Sequence, residues 1–222
     1  MSRSRKSASP ARCTLVLVRH AHTGMAGRFC GHSNPPLSAQ GRAQLSDLNR
    51  RLRAFSLDHV FSSDLERARQ TAESVAQRRN LPVHALVSLR ELAFGSWEGL
   101  DWEQVVARNS AFAQQWLDLS PSLAAPEGEE FEDFRKRIHA AMEQIANQVQ
   151  NGCALVVTHA GVIRTFLQDH DLAQTSQGPG DFAQYDYTSC WEVWREAGQW
   201  CLPHRNHRYI AVSSDERRLM SD

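Results

Sequence analysis

Two short apolar runs, far apart in the chain, are each followed by a histidine. The run at 14–18 (TLVLV) leads into Arg19 and His20, and the run at 154–158 (ALVVT) leads into His159. Short runs rich in β-branched residues are typical of buried strands. The carboxyl ends of parallel strands meet at one edge of a sheet, where ligands bind. The sequence therefore predicts that both histidines lie at the same edge, together with Ser62 and Ser63, which follow a third apolar run.

Helical patterns separate these runs, which indicates an α/β fold with a mostly parallel sheet flanked by helices in three layers. We predict strands at 13–18, 59–62, 82–86 and 154–158. We predict helices from Ser38 to about Arg53, from a Ser63-Asp64 cap to about Arg79, and from Gly161 onward. Residues 101–150 are predicted to form a small helical insertion, and a hairpin turning at 196–198 to follow near the end.

The chain of 222 residues is long enough for one sizeable core. We predict a single domain over 13–212, preceded by a disordered basic tail at 1–12 and followed by a frayed end at 213–222. The formal net charge is zero, so no overall field would recruit nucleic acid or a membrane surface. The five cysteines form no CxxC pair, which favours a reducing, cytoplasmic compartment over a disulfide framework or zinc site. A homodimer is compatible with the sequence.

A histidine at a strand end can act as a nucleophile toward a phosphomonoester. The reaction needs cationic or donor groups around the phosphate, where charge develops in the transition state. Arg19 is adjacent to His20, Arg67 lies one turn into the second predicted helix, and His159 precedes the helix that opens at Gly161. The N–H groups at that helix start are further candidate donors. These residues are therefore our candidates for a phosphate site.

The reaction also needs an acid that protonates the leaving oxygen. Glu91 follows the third predicted strand and has apolar neighbours on both sides, in LRELAFGSW. An apolar setting suits a carboxyl group that carries a proton. The alternative for Glu91 is a surface carboxylate paired with Arg90, and its local sequence leaves both interpretations open.

Other chemistries fit the sequence less well. The spacing of His20 and His22 suits a pair of metal ligands, but no HExxH motif or local aspartate accompanies them, and nearby arginines would repel a cation. The chain contains no phosphate-binding loop of the G-x-x-x-x-G-K-[ST] type and no G-x-G-x-x-G fingerprint. Apart from His20, His22 and His159, the histidines are interpreted as structural or surface residues.

Six blocks of the sequence, in order, resemble motifs of the histidine phosphatase superfamily, the phosphoglycerate-mutase-like proteins. LVRHAHT is similar to R-H-G-x-T, and VVTHAGVIR is similar to V-[ST]-H-G-G-x-I-R. Between them, family motifs resemble GHSNPPLSAQGRAQ, FSSDLERARQTAE, LRELAFGSWEG and PEGEEFEDFRKRI. The blocks span roughly residues 14–167, so the resemblance covers most of the predicted domain.

The resemblance implies a metal-independent phosphatase that hydrolyses a small phosphomonoester through a phosphohistidine. It implies that His20 is the nucleophile, that Glu91 is the proton donor, and that no metal or organic cofactor takes part. The implied phosphate-binding residues are Arg19, Arg67 and His159. Residues expected to contact the substrate are Thr23, Cys30, Gly31 and Ala160.

Within the superfamily, the stretches AGRFCGHSNPPLS, DLERARQTA and FGSWEG are most similar to α-ribazole phosphatases, which remove the 5′-phosphate of α-ribazole phosphate in cobalamin biosynthesis. Alternatives are a broad-specificity or sugar-phosphate phosphatase, a phosphoglycerate-mutase-type phosphomutase, and a non-catalytic relative that binds a phosphorylated ligand. Ala21 and Ala160 replace family glycines. An asparagine that many members use to bind phosphate is missing, and Asn34 lies too far along the chain to replace it.

Overall fold

The computed structural model describes residues 12–119, 123–172 and 185–203. In this part of the chain, one sheet contains six strands: β1 (Arg12–Arg19), β2 (His59–Ser63), β3 (Val83–Leu86), β4 (Cys153–Thr158), β5 (Cys190–Glu196) and β6 (Gln199–Cys201). The predicted frayed end, and the predicted basic tail up to residue 11, lie outside the described residues. Arg12, assigned to that tail from the sequence, instead begins β1, where it pairs with Glu196.

The strand order is β3-β2-β4-β1-β5-β6. Strands β3, β2, β4 and β1 run parallel, and β5 and β6 are antiparallel additions at one side. This confirms the mostly parallel sheet predicted from the sequence. The register of β1 on β4 places Arg19 opposite Thr158. His20 and His159 therefore leave the sheet side by side at the carboxyl edge of its two central strands.

Helices cover both faces of the sheet. They are α1 (Ala39–Arg51), α2 (Glu66–Ala76), α3 (Trp102–Arg108), α4 (Ser110–Leu119), α5 (Phe131–Val149) and α6 (Ala160–Asp169). Short 3-10 turns occupy Leu52–Ala54, Gln77–Arg79, Val87–Leu89 and Gly95–Trp97. Side chains alternate along β1, so that Leu15 and Leu17 pack under α5 and α6 while Val16 and Val18 pack under α1 and α2. The three predicted layers are present. No helix in the described ranges is long and apolar enough to cross a membrane.

The two predicted N-terminal caps, at Ser38 and at Ser63-Asp64, differ in outcome. Ser38 caps α1 as predicted, because its Oγ accepts a hydrogen bond from the Gly41 N–H at 3.0 Å. The predicted Ser63-Asp64 cap is wrong: α2 begins at Glu66, with Leu65 at the cap position and no capping side chain of its own. The Glu66 N–H instead donates to Asn34 Oδ1 at 2.7 Å, from a loop distant in sequence.

The helical insertion is shorter than the predicted range of 101–150. Helix α5 falls inside that range, but Ile138, Met142 and Ile145 are buried in the core cluster of the sheet. Their spacing follows the apolar stripe of a helix that covers a core. Among the helices of the described residues, only α3 and α4 pack apart from the sheet, around Trp97 in a smaller aromatic cluster.

The C-terminal hairpin is confirmed. Strands β5 and β6 pair antiparallel across a two-residue turn, and both turn residues have positive φ, 49° at Ala197 and 83° at Gly198. Two-residue hairpin turns of this kind match the twist of the strands they join. Through β5, the hairpin adds to the sheet beside β1.

Candidate active site

His20 is held in one orientation at the end of β1. Its Nδ1 lies 2.8 Å from the Ala21 carbonyl oxygen, which can only accept, so Nδ1 carries the proton. Nε2 therefore presents a lone pair, and it accepts a hydrogen bond from Arg67 Nε at 3.2 Å. Burial, followed by the positive charges of Arg67 and Arg19, holds the pKa of His20 well below its ordinary value. The imidazole is therefore neutral, and Nε2 carries the lone pair that a nucleophile toward phosphate requires.

Arg67 projects from the first turn of α2 and is fully buried. Its guanidinium donates to the carbonyl oxygens of Ser33 at 2.6 Å, Gly31 at 2.7 Å and Cys30 at 3.1 Å. These three carbonyl groups belong to the loop before α1, and they fix the plane of the guanidinium beside His20. The fixed guanidinium keeps its positive charge beside His20, where it can stabilise the charge that develops during phosphoryl transfer.

Arg19 lies on the other side of His20. Its NH1 donates to the Tyr185 carbonyl oxygen at 2.7 Å, and its guanidinium carbon lies 3.9 Å from the centre of the Tyr187 ring. A cation over an aromatic face is attracted by the ring electrons. Tyr187 also packs against the His20 ring at a centroid distance of 5.6 Å. The segment before β5 therefore positions both residues at the end of β1.

His159 immediately precedes α6 and is fully buried. Its ring centre lies 5.1 Å from that of His20, and neither ring nitrogen has a hydrogen-bond partner among the described residues. Burial, with added repulsion from Arg67, holds its pKa well below the ordinary value. A buried polar group without a partner is costly. A neutral imidazole in this position can donate one hydrogen bond to a bound anion.

Glu91 lies beyond the 3-10 turn that follows β3, and its carboxylate reaches the start of α6. Oε2 accepts from the Gly161 N–H at 2.9 Å, and Oε1 accepts from the Leu92 N–H at 3.0 Å. The alternative pairing with Arg90 is wrong, because Arg90 pairs with Asp64 through contacts of 2.8 and 2.5 Å. The Gly161 N–H, expected to face phosphate, is instead bonded to Glu91.

A cavity of about 170 Å³ lies between His20, Arg19 and Glu91. Its lining includes Arg19, His20 and Glu91 of the predicted machinery, and Thr23, Cys30 and Ala160 of the expected substrate contacts. Three predicted residues do not line the cavity: Arg67 and His159 are fully buried beside it, and Gly31 is buried with its carbonyl oxygen accepting from Arg67. Tyr187, Met25, Gly27, Arg28 and Phe94 complete the wall. We refer to this space as the phosphate cavity.

The described residues give no cluster of three or more His, Cys, Asp or Glu side chains that could hold a metal ion. His22, considered as a partner of His20, bonds to Ser38 Oγ at 2.7 Å through its Nδ1. A separate open groove of about 580 Å³ lies beside α1, lined by Arg50, Arg53, Arg78 and Arg79 among others. Its lining includes none of the predicted site residues, so we locate the candidate site at the phosphate cavity.

Three contributors to this site were not predicted from the sequence. Tyr187 supports Arg19 and His20, as described above. The Glu98 carboxylate accepts from the N–H groups of His32 and Ser33, at 2.7 and 3.0 Å, and so folds the loop that holds Arg67. Arg137 on α5 donates to the Glu91 carbonyl oxygen at 2.9 Å. The motifs FGSWEG and PEGEEFEDFRKRI contain Glu98 and Arg137, but nothing in their spacing indicates what they contact.

Comparison with known proteins agrees with this geometry. The family model described as histidine phosphatase superfamily, branch 1, matches residues 15–208. This chain belongs to the histidine phosphatase superfamily. The resemblance drawn from the six sequence blocks is therefore confirmed, and the phosphate cavity lies where those blocks converge.

Several proteins similar to this chain are named for their activity. The adenosylcobalamin/alpha-ribazole phosphatase of Escherichia coli is 36% identical over 159 residues, covering 69% of this chain and 76% of the relative. A probable phosphoglycerate mutase of Klebsiella pneumoniae is 31% identical over 147 residues, covering 65% and 68%. The crystal structure of the alpha-ribazole phosphatase from Shigella flexneri superposes with a TM-score of 0.74 at 27% identity, covering 90% of this chain and 100% of that one.

Proposed function

We propose that this histidine phosphatase is a metal-independent enzyme that hydrolyses a small phosphomonoester through a phosphohistidine on His20. The observation that carries the proposal is the state of His20, which lines the cavity: its Nδ1–H is bonded to the Ala21 carbonyl, and its unprotonated Nε2 faces the Arg67 guanidinium.

The first step transfers the phosphoryl group to the enzyme. Phosphate binds among Arg19, Arg67 and His159, which donate hydrogen bonds to its oxygens and stabilise the charge of the transition state. The lone pair on His20 Nε2 forms the N–P bond as the bond between phosphorus and the ester oxygen breaks. Glu91, in its protonated form, gives its proton to the departing oxygen, and the free alcohol leaves.

The second step releases phosphate. A water molecule takes the place of the alcohol beside Glu91, which is now a carboxylate and accepts a proton from it. The water oxygen forms a bond to phosphorus while the N–P bond breaks, and the electron pair returns to Nε2. Inorganic phosphate departs, and both His20 and Glu91 regain their starting protonation states. The cycle consumes one water and one ester, and it requires no other reactant.

The proposed substrate is α-ribazole 5′-phosphate, which would place the enzyme in cobalamin biosynthesis. The alpha-ribazole phosphatases of Escherichia coli and Shigella flexneri support this choice. The probable phosphoglycerate mutase among the relatives supports a second candidate, a phosphomutase that uses the same site. A mutase must return the phosphoryl group to an alcohol, so the two functions differ in whether water is the acceptor.

We further propose that the protein is a cytoplasmic homodimer. All five cysteines are free thiols, which suits a reducing compartment such as the cytoplasm. A homodimer is proposed as the assembly, to be tested by the mass of the protein in solution. The partner expected in the cell is a small phosphorylated molecule and neither nucleic acid nor a membrane, given the formal net charge of zero.

Phosphate release in excess EDTA tests the proposal. The substrates are α-ribazole 5′-phosphate, ribose 5-phosphate, 3-phosphoglycerate, fructose 2,6-bisphosphate and p-nitrophenyl phosphate. We expect His20→Ala to lose at least about 10⁴-fold in kcat, because the nucleophile is gone. His84→Ala, an exposed histidine on the edge strand β3, serves as the matched control and should retain activity.

Each outcome has a distinct meaning. Efficient His20-dependent turnover of α-ribazole 5′-phosphate, well above the other substrates, supports the whole proposal. Weak turnover of many substrates would support a broad-specificity phosphatase. Isomerisation of phosphoglycerate without net phosphate release would support the mutase. Binding of substrates without turnover would support a non-catalytic relative, and loss of activity in EDTA would contradict a metal-independent mechanism.

A further inference from the structure

A second cavity, of about 180 Å³, adjoins the phosphate cavity and shares three lining residues with it: Glu91, Phe94 and Ala160. We propose that this second cavity, here called the aromatic chamber, receives an aromatic ring carried by the leaving alcohol. The inference rests on the proposed phosphatase function and specifies its substrate class. The characteristic lining residues of the chamber are Leu92, Phe94, Trp116, Phe131, Phe134 and Tyr185.

The position of Glu91 determines which part of the substrate enters the chamber. A proton donor must contact the oxygen that leaves, so the alcohol begins at Glu91 and extends away from the phosphorus. His20 and Arg19 line the phosphate cavity, and neither lines the chamber. The chamber therefore opens on the side of Glu91 where the leaving group must lie, whereas the phosphoryl group occupies the other side.

The chemistry of the walls favours a ring. The five aromatic side chains of the lining offer faces and edges against which a flat heterocycle can pack. The hydroxyl groups of a bare sugar phosphate would lose hydrogen bonds to water against such walls, which costs free energy. Arg164 and Thr165 supply polar groups at one part of the wall, where a ring nitrogen or ribose hydroxyl could bond.

The size of the site also agrees with a nucleoside monophosphate. Small-molecule sites typically enclose about 300–1,000 Å³. Neither cavity reaches that range separately, but together the phosphate cavity and the chamber reach its lower end. α-Ribazole 5′-phosphate is a benzimidazole riboside, so its phosphate would occupy the first space and its bicyclic base the second.

Trp116 is the residue best placed to test this inference. It lies on α4 and lines the chamber without lining the phosphate cavity. Its ring is held by neighbours, with centroids 5.3 Å from Trp97 and 5.8 Å from Phe29. A wall that is already rigid loses little conformational entropy when a ring packs against it. Phe112, on the same helix, also packs against Trp97, at 5.9 Å, but lines neither cavity.

The experiment compares two substrates that share the phosphoribosyl group and differ by the base: α-ribazole 5′-phosphate and ribose 5-phosphate. For the wild-type protein we expect kcat/KM to be at least about tenfold higher with the base present. Trp116→Leu should lower kcat/KM for α-ribazole 5′-phosphate about tenfold, and change that for ribose 5-phosphate less than about twofold. Phe112→Leu, the matched control, should leave the ratio of the two values unchanged.

A second variant covers the case in which Trp116→Leu unfolds. Leu123→Trp adds bulk to the chamber wall at a partly exposed position, so it should lower the same ratio without removing a core side chain. Equal losses for both substrates in the folded variants, or a wild-type ratio near one, would overturn the inference while His20-dependent turnover upheld the proposed function. No His20-dependent turnover of either substrate would overturn both.

Discussion

The Glu91 carboxylate rests directly on the backbone of Gly161, whose N–H donates to Oε2 at 2.9 Å. A Cβ atom at Gly161 would overlap that carboxylate. Glycine at the first turn of α6 is therefore what allows the proposed acid to reach the phosphate cavity. The hydrogen bond fixes one carboxyl oxygen against the helix start, and Glu91 lines the cavity.

Gly161→Ala tests whether this contact positions the acid. We expect the displaced Glu91 to lower kcat about 100-fold for ribose 5-phosphate, whose alkoxide needs a proton as it leaves. The loss should be much smaller for p-nitrophenyl phosphate, because p-nitrophenolate leaves without protonation. Gly24→Ala is the control, since a Cβ at this nearby loop position meets no other atom within 4 Å. Equal losses for both substrates would show that Gly161 does not act through the acid.

Glu98→Ala tests the folding of the loop that holds Arg67. Burial raises the pKa of Glu98, but hydrogen bonds from Ser33 and from the backbone N–H groups of His32, Ser33 and Phe94 outweigh it, so its pKa lies below the ordinary value. Removing the carboxylate leaves these donors, most of them partly buried, without their partner, at a cost of about 1 kcal/mol or more of unfolding free energy. We also expect KM to rise as the carbonyl groups around Arg67 shift.

Urea unfolding and steady-state kinetics measure both effects. Glu103→Ala, which removes an exposed carboxylate from α3, is the control and should change neither the unfolding free energy nor KM. Full retention of stability and KM in Glu98→Ala would contradict the role given to this loop. The same carboxylate contributes stability above its unfolded pKa, and that contribution should be lost as the pH falls through the lower, folded pKa.

Because His20 and His159 are buried, we expect the free energy of unfolding to decrease at acidic pH. Burial and the charge of Arg67 hold the pKa values of His20 and His159 well below 6.5. Below about pH 6.5 the unfolded chain binds protons at these positions while the folded chain does not, so stability falls with falling pH. Each histidine should contribute a slope of up to about 1.4 kcal/mol per pH unit until its folded pKa is reached.

Unfolding free energies at several pH values between 7.5 and 5.0 check this slope. His159→Gln should reduce the slope of unfolding free energy against pH by the contribution of one histidine. Val162→Ala is the control, because it removes a buried, non-titrating side chain from the same region and should lower stability equally at every pH. An unchanged slope in His159→Gln would mean that this histidine is not buried in its neutral form.

We expect Arg137 to position Glu91 by holding the backbone around it. Its guanidinium is paired with Glu129 and donates to the carbonyl oxygens of Ser88, Arg90 and Glu91 at 2.9, 2.7 and 2.9 Å. Arg137→Met should lower kcat about tenfold or more for ribose 5-phosphate, and less for p-nitrophenyl phosphate.

The control for this prediction is Arg135→Met on the same helix. Arg135 pairs with Glu132 and Asp169 at the surface and contacts none of the site residues described above. We expect it to retain the activity of the wild-type protein. A uniform loss for all substrates in Arg137→Met would indicate a structural role in the fold without a specific effect on the acid.

The sequence predicted the sheet and the residues on its central strands well, because short apolar runs have a strong local signal. His20 and His159 follow from the ends of two such runs, and parallel pairing then brings them together. The assignment of helix α5 to the helical insertion was wrong for a physical reason. Its apolar stripe indicates that the helix covers a core, but the sequence pattern does not indicate which core. Only the packing against Leu15 and Leu17 assigns it to the sheet.

The supporting contacts could not be predicted, because they join segments distant in sequence. The Asn34 side chain accepts a hydrogen bond from the Glu66 N–H at the start of α2, and the Glu98 carboxylate accepts one from the Gly31 N–H. Tyr187 reaches Arg19 from the far end of the chain. Each contact depends on where loops lie in space, and loop geometry carries little periodic signal. The aromatic chamber likewise combines side chains from α4, α5 and α6 with the loop that follows β3.

The most direct test of the account is to trap phosphate on the enzyme. The protein is mixed with ³²P-labelled substrate, quenched in alkali, where phosphohistidine is stable, and digested for mass spectrometry. We predict up to one phosphate per chain, located on His20, lost on acid treatment and absent from His20→Ala. His84→Ala should be labelled like the wild-type protein. Phosphate release that continues in His20→Ala, or labelling at another residue, would contradict the proposed mechanism.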